Sequence, residues 1–237
     1  MSNTEMNRRS AIVSSLGLGL GLLSINELAQ AQDTQAGESA ESKPKKRESR
    51  RKKYQTQVWK YVPLNPAPAA QAAYEAYHTH GCMYAAVKAG ILAYADAVEA
   101  SDPAQAETAR QFPFDAFKYG RTGYGAQETL CGAVNGVGFF MSLFVENPND
   151  LNVLLKKVTE YVKETPQPQF IPTPDLHPNF VQAISHSVIC KENTTAWLAK
   201  DPSDEHKKLR SERCMRYTAS VLTFAIETLN EFFKENA

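Results

Sequence analysis

Cys131-Gly132-Ala133-Val134-Asn135-Gly136 is the stretch on which the reading of this chain turns. It follows a glycine-rich run, Gly120-Arg121-Thr122-Gly123-Tyr124-Gly125, and opens an apolar segment of helical character that ends near Phe144. A thiol beside small residues lets backbone or a bulky inorganic group approach closely, because no branched side chain blocks it. Outward from this point Cys82, Cys190 and Cys214 each also fall in a segment that reads as helix.

The helical reading extends to both sides. From Ala69 to about Ala100, Tyr74, Tyr77, Tyr84, Val87, Ile91, Tyr94 and Val98 recur at helical spacing, with Gly81 as a point of kinking. Asp102-Pro103 signals a short helix, and Asn147-Pro148 stops the Cys131 helix and starts another over 150–163. Pro166, Pro168, Pro172, Pro174 and Pro178 mark an extended crossing. Helices over about 179–200 and 203–235 follow, split at Asp201-Pro202. No alternating pattern of useful length suggests strands. The expected class is all-α, a bundle of about five to six helices with one cysteine on each of four helical segments.

The N-terminal part reads differently. Asn7-Arg8-Arg9-Ser10 precedes a modestly apolar run from Ala11 to Leu23, and Ala29-Gln30-Ala31 has the small-x-small pattern of a cleavage site. The run is short for a bilayer span, which takes roughly 20 residues. Paired arginines before a weakly hydrophobic core resemble a twin-arginine signal, although Ala11 stands where phenylalanine is usual. Residues 1–31 are thus expected to be an export signal, with a periplasmic or otherwise exported protein as the result. An ordinary secretory signal or a retained anchor are the competing readings. Residues 32–66 read as a disordered charged linker, and 67–237 as the helical cysteine domain.

Charge is unevenly placed. Residues 43–53 hold 8 of the 26 basic residues, while from Tyr54 onward 16 Lys/Arg face 20 Asp/Glu. The mildly acidic folded part makes nucleic acid an unexpected partner. The basic run reads as a solvated linker, or as a weak contact with an anionic membrane surface or an acidic redox partner.

The cysteines lie 49, 59 and 24 residues apart, and no Cys-x-x-Cys occurs. That spacing argues against zinc ribbons, thioredoxin-type motifs and bacterial-ferredoxin runs, and the missing Cys-x-x-Cys-His argues against covalent haem. Cys214 shares a stripe with Tyr217, Val221, Phe224, Thr228 and Phe232, and Cys82 a face with Ala85, Ala86, Ala89 and Ala93. One inward cysteine alone is ordinary core. Four converging in a bundle suit an iron–sulfur cluster or a closed zinc site, and two disulfides in any of three connectivities are the third option.

At these residues the chain resembles the C_GCAxxG_C_C redox-active family, which is related to the cluster domain of split-Soret cytochromes. The resemblance covers roughly 74–236. The family's Cys-Gly-Ala-x-x-Gly motif stands here as Cys131 to Gly136, with the glycine-rich lead-in before it. Gly81-Cys82-Met83-Tyr84-Ala85-Ala86 is similar to its upstream cysteine helix, and Cys190 and Cys214 to its later cysteines, the last on a long C-terminal helix. The resemblance implies a redox role, the metal ligands Cys82, Cys131, Cys190 and Cys214, and a [2Fe–2S] centre as in the split-Soret relatives. The haem-attachment motifs of those cytochromes are absent, so their haem function does not carry over.

Two histidines stand four residues before a cysteine, His78 before Cys82 and His186 before Cys190. On continuous helices each pair would share a face, and the histidines would donate to cluster sulfur or exchange protons on redox change. Helix-surface histidines are the plain alternative; His177 and His206 read as loop and surface residues. Gly132 and Gly136 are expected to give the cluster room. Gly120 to Gly125 could wrap backbone N–H groups near cluster sulfides, or be a plain loop, and an exposed edge of the Cys131 loop would be the electron port.

The expected function is an exported electron-transfer or redox-sensing protein that works with a redox partner protein. No catalytic motif points to an enzyme, and a homo-oligomer is left open. The competing reading is a non-redox helical interaction protein held by two disulfides or by zinc.

Overall fold

The computed structural model describes residues 58–236. The expected signal at 1–31, the basic run at 43–53 and most of the expected linker lie outside the described residues.

Helices begin where short polar side chains can satisfy free N–H groups. The Asn65 side chain accepts from the Ala67 N–H (3.1 Å) and starts α1 (Pro66–His80) with proline in its first turn. Gly81, at φ 83°, ends α1, and α2 (Cys82–Val98) leaves from it in a new direction. The Asp102 carboxylate accepts from Gln105 N–H (3.0 Å) and starts α3 (Pro103–Arg110). Two 3₁₀ turns, Phe114–Gly120 and Tyr124–Ala126, lead to α4 (Gly132–Ser142). The Asn147 side chain caps α5 (Pro148–Glu164). After the proline-rich crossing come α6 (Cys190–Leu198), α7 (Asp204–Lys208) and α8 (Arg210–Glu235).

The long α8 packs along α1, α1 along α2, and α2 along α4. Alanines at 69, 73, 86 and 89 bring the first two helices close, and Ile91, Tyr94, Phe140, Leu222, Ile226 and Leu229 fill the centre. Burying each large apolar side chain is worth roughly 1.5–3 kcal/mol. Gly136 marks a close crossing of α4 on α2: a Cβ there would lie 2.9 Å from the Met83 carbonyl oxygen and 3.1 Å from Ala86 Cβ. This glycine serves helix packing.

The all-α class holds, and no strand occurs among the described residues, where two isolated antiparallel bridges pair Leu130 with Ile189 and Gln167 with Ala183. The helices are shorter and more numerous than the five to six expected. Gly81 splits the 69–100 segment outright, and Leu209 separates α7 from α8. The expected helix at 179–200 begins only at Cys190. Ahead of it, Ser185 and Ser187 hydroxyls bond to nearby backbone: Ser185 Oγ donates to Ser187 O (3.0 Å), and Ser187 Oγ accepts from Ile189 N–H (3.0 Å). Such local bonds compete with the helix.

Residues 58–65, expected to be linker, pack on the helices. The Trp59 ring stacks on Tyr94 at 5.2 Å, and the Trp59 backbone N–H donates to Leu143 O (2.8 Å). The Asn230 side chain on α8 accepts from Tyr61 Oη and Leu64 N–H and donates to Leu64 O. His206, expected at the surface, is buried on the Trp197 ring at 3.7 Å, with Nε2 3.1 Å from Trp197 O. Among the described residues no helix is long and apolar enough to cross a membrane.

Candidate metal centre

Three of the four cysteines stand at helix beginnings. Cys82 is the first residue of α2, Cys131 is the N-cap of α4, and Cys190 is the first residue of α6. Free N–H groups and the positive end of the helix dipole favour negative sulfur at such positions. Cys214 differs, sitting one turn into α8 and half-buried where the others are buried. All four are free thiols, and all four line one cavity of about 180 Å³.

The segments entering α4 and α6 are tied together. Cys131 N–H donates to Val188 O (2.9 Å), Cys190 N–H to Thr129 O (2.6 Å) and Lys191 N–H to Glu128 O (3.1 Å). This short antiparallel pairing, centred on Leu130 and Ile189, sets two cysteines in register although 59 residues separate them. The other side of the cavity is closed by the glycine-rich loop, whose backbone runs through positive φ at Thr122, Gly123, Gly125, Ala126 and Glu128. The fit is tight where the loop meets α4. A Cβ on Gly132 would stand 2.2 Å from Gly120 O and 2.5 Å from Cys82 Sγ.

The thiols have unequal acidity. Hydrogen bonding from Cys131 pulls Cys82 down to about 6 against the resistance of burial, with backbone N–H groups of Thr122, Met83 and Cys82 adding to it. Its partner Cys131, as donor in that bond and fully buried, is pushed well up. Burial lifts Cys190 to about 11, with the charge of Cys214 second, and overrides the helix end. The Tyr77 hydroxyl lies in hydrogen-bond reach of Cys214, and burial raises both Tyr77 and Tyr217. Arg121, Arg210 and Arg213 also line the cavity, bringing positive charge to a group of sulfurs that would carry four negative charges if all ionised.

Four thiols around one cavity are a donor set that suits a thiophilic metal centre. A single zinc needs sulfurs about 2.3 Å from a common point. Among the described residues no group of three or more His, Cys, Asp or Glu side chains is drawn in to hold a single metal ion.

The structure brings Cys82, Cys131, Cys190, Cys214 and Gly132 together and leaves the two histidines out. The break at Gly81 removes the shared helical face of His78 and Cys82, and His78 is exposed. His186 precedes the helix, at φ 52°, and its Nδ1 lies 3.4 Å from Glu164 Oε2 on the surface. Neither lines the cavity. Cys131 itself is buried, while the loop ahead of it is exposed at Tyr124 and Leu130, and Cys214 is the more open of the four sulfur positions. The cavity arginines leave little trace in the sequence, although Arg213, directly before Cys214 on α8, is a visible signal.

No family model matches the chain. Split-Soret cytochrome c of Desulfovibrio desulfuricans is 27% identical over 175 residues, which are 73% of this chain. The chain spans 61% of the length of that curated relative. A solved structure of the Desulfovibrio desulfuricans split-Soret cytochrome c, described as having a novel iron centre, matches with a TM-score of 0.64 at 26% identity. That match covers 75% of this chain and 72% of the other. In sequence and in fold, this chain is similar to split-Soret cytochrome c.

Proposed function

We propose that this chain is an exported electron-transfer protein in which Cys82, Cys131, Cys190 and Cys214 hold an iron–sulfur cluster, [2Fe–2S] in type. The observation that carries the reading is the convergence of four free thiols, from four separate segments, on one cavity. The iron centre of the related cytochrome supports iron over zinc. A bound cluster would supply one-electron redox chemistry. The chain's own contribution is to hold the sulfurs in place and present N–H donors and arginine charge to them. Hydrogen bonding from Cys131 favours the thiolate of Cys82, which would be available as a ligand. The half-buried Cys214 side faces the solvent, so a partner protein would exchange electrons there. The arginine pair at residues 8 and 9 and the run at 43–53 support export and a weak anionic-surface contact.

The test is anaerobic reconstitution of the full chain with ferrous iron and sulfide, followed by visible spectroscopy and assay of iron, sulfide and zinc. Bands between about 400 and 600 nm with equal iron and sulfide are expected. Serine at any of the four cysteines should remove most of the iron while far-UV circular dichroism stays helical. Colourless protein holding one zinc, or a chain with two disulfides and no metal uptake, would overturn the proposal.

A further inference from the structure

Arg213 occupies an unusual position. The residue is 2% exposed, yet among the described residues no carboxylate pairs with it, whereas Arg216, equally buried on the next turn, is held by Glu212 and Asp175. Its guanidinium lies over the Tyr217 ring at 4.5 Å, with Nη2 on the Asn193 side chain and backbone carbonyl and Nη1 3.8 Å from Cys214 Sγ. Its Nε is buried without a hydrogen-bond partner. A charged group so placed is costly unless an opposite charge answers it. Arg213 lines the cysteine cavity, and the negative charge available there is the sulfur's own. The other arginines differ: Arg210 is exposed and paired with Glu128 at 3.0 Å, and Arg121 is exposed.

We infer that Arg213 is the internal counter-charge of the cluster site, a positioning residue that raises the site's affinity for an electron. The inference rests on the reading that the four cysteines hold a redox cluster. Reduction adds one negative charge to the site, and a buried, unscreened guanidinium beside Cys214 favours the reduced state more than the oxidised one. The bond to Asn193 gives the residue a second duty. Asn193 lies on α6 three residues after Cys190, so Arg213 also fixes the spacing of the helices that carry Cys190 and Cys214.

The experiment compares full-length wild type with R213Q, R213K and R210Q, each reconstituted with iron and sulfide and titrated with dithionite. R213Q should lose about tenfold in electron affinity, which reads as a midpoint about 59 mV lower for one electron. R213K, which keeps the charge, should stay near wild type, and R210Q should shift far less because solvent screens that arginine. Equal midpoints for wild type and R213Q at full iron content would overturn the inference and leave the cluster standing. Should R213Q fail to fold, R213K decides: a midpoint near wild type supports the charge role, and a large fall overturns it. Wild type that takes up no iron and sulfide would overturn the cluster reading together with this one.

Discussion

Gly132 is the residue on which the site's geometry is least forgiving. Its missing side chain lets Gly120 O and Cys82 Sγ both reach the first turn of α4. Gly132→Ala should displace the glycine loop or the sulfur, costing about 1–3 kcal/mol as overpacking does. Iron content should fall by more than half in reconstitution, with a lowered thermal midpoint. Gly136→Ala meets backbone of α2 instead, so it should lower the midpoint and spare iron content at a temperature where the variant is folded. Comparing iron per chain in the two variants separates room for sulfur from room for a helix. Four ligand candidates were legible in the sequence because each cysteine stood among small or apolar neighbours. The acidity order was not, since it depends on which thiol donates to which.

At the scale of elements, the breaks decide more than the helices do. Helical periodicity ran straight through Gly81, because spacing cannot report a positive φ; with the break went the expected partnership of His78 and Cys82. The Arg121 side chain covers this corner, 2.7 Å from where a Cβ would be. Gly81→Ala should therefore destabilise the fold by about 1–3 kcal/mol, measurable in urea, through strain at φ 83° and that contact. The stretch before Cys190 is ambiguous in sequence for a related reason: Ile184, Val188 and Ile189 are apolar positions that either a helix stripe or an extended strap can bury. The serine bonds and the pairing with residues 128–130 settle it. Residues 58–65 looked like the end of a polar linker, yet Asn230, distant in sequence, holds them. Asn230→Ala leaves both Leu64 backbone groups without their partner, with a cost of about 1–3 kcal/mol for each left unsatisfied. Limited proteolysis should then cut near Tyr61 at a protease level that spares the wild type.

For the whole molecule, the proline-rich crossing is fastened to α8 at Ser220, which accepts from the Gln169 and Phe170 N–H groups, and at Arg216. That guanidinium binds Asp175 and Glu212, and hydrogen bonding from Arg216 holds the Asp175 carboxyl below its ordinary range. A carboxyl depressed in the folded state contributes stability that is full above its unfolded value, about 3.9, and lost as pH falls through the folded value. Asp175→Asn should therefore weaken the protein at neutral pH and flatten its stability profile below about pH 4. Tryptophan fluorescence during acid titration would follow it, because Trp197 Nε1 donates to Val181 O in the same crossing (2.8 Å). The all-α class was legible from apolar spacing, while this clamp joins residues 41 apart and leaves no local pattern. The same non-locality governs how the protein must be made. The pairing of the Cys131 and Cys190 segments spans 59 residues, and Cys214 comes 24 residues later still. Closing loops of that size costs chain entropy that only the finished packing repays. A ribosome-bound fragment ending before α8 lacks the fourth sulfur, so any group held by all four cysteines can assemble only after α8 has been made and packed.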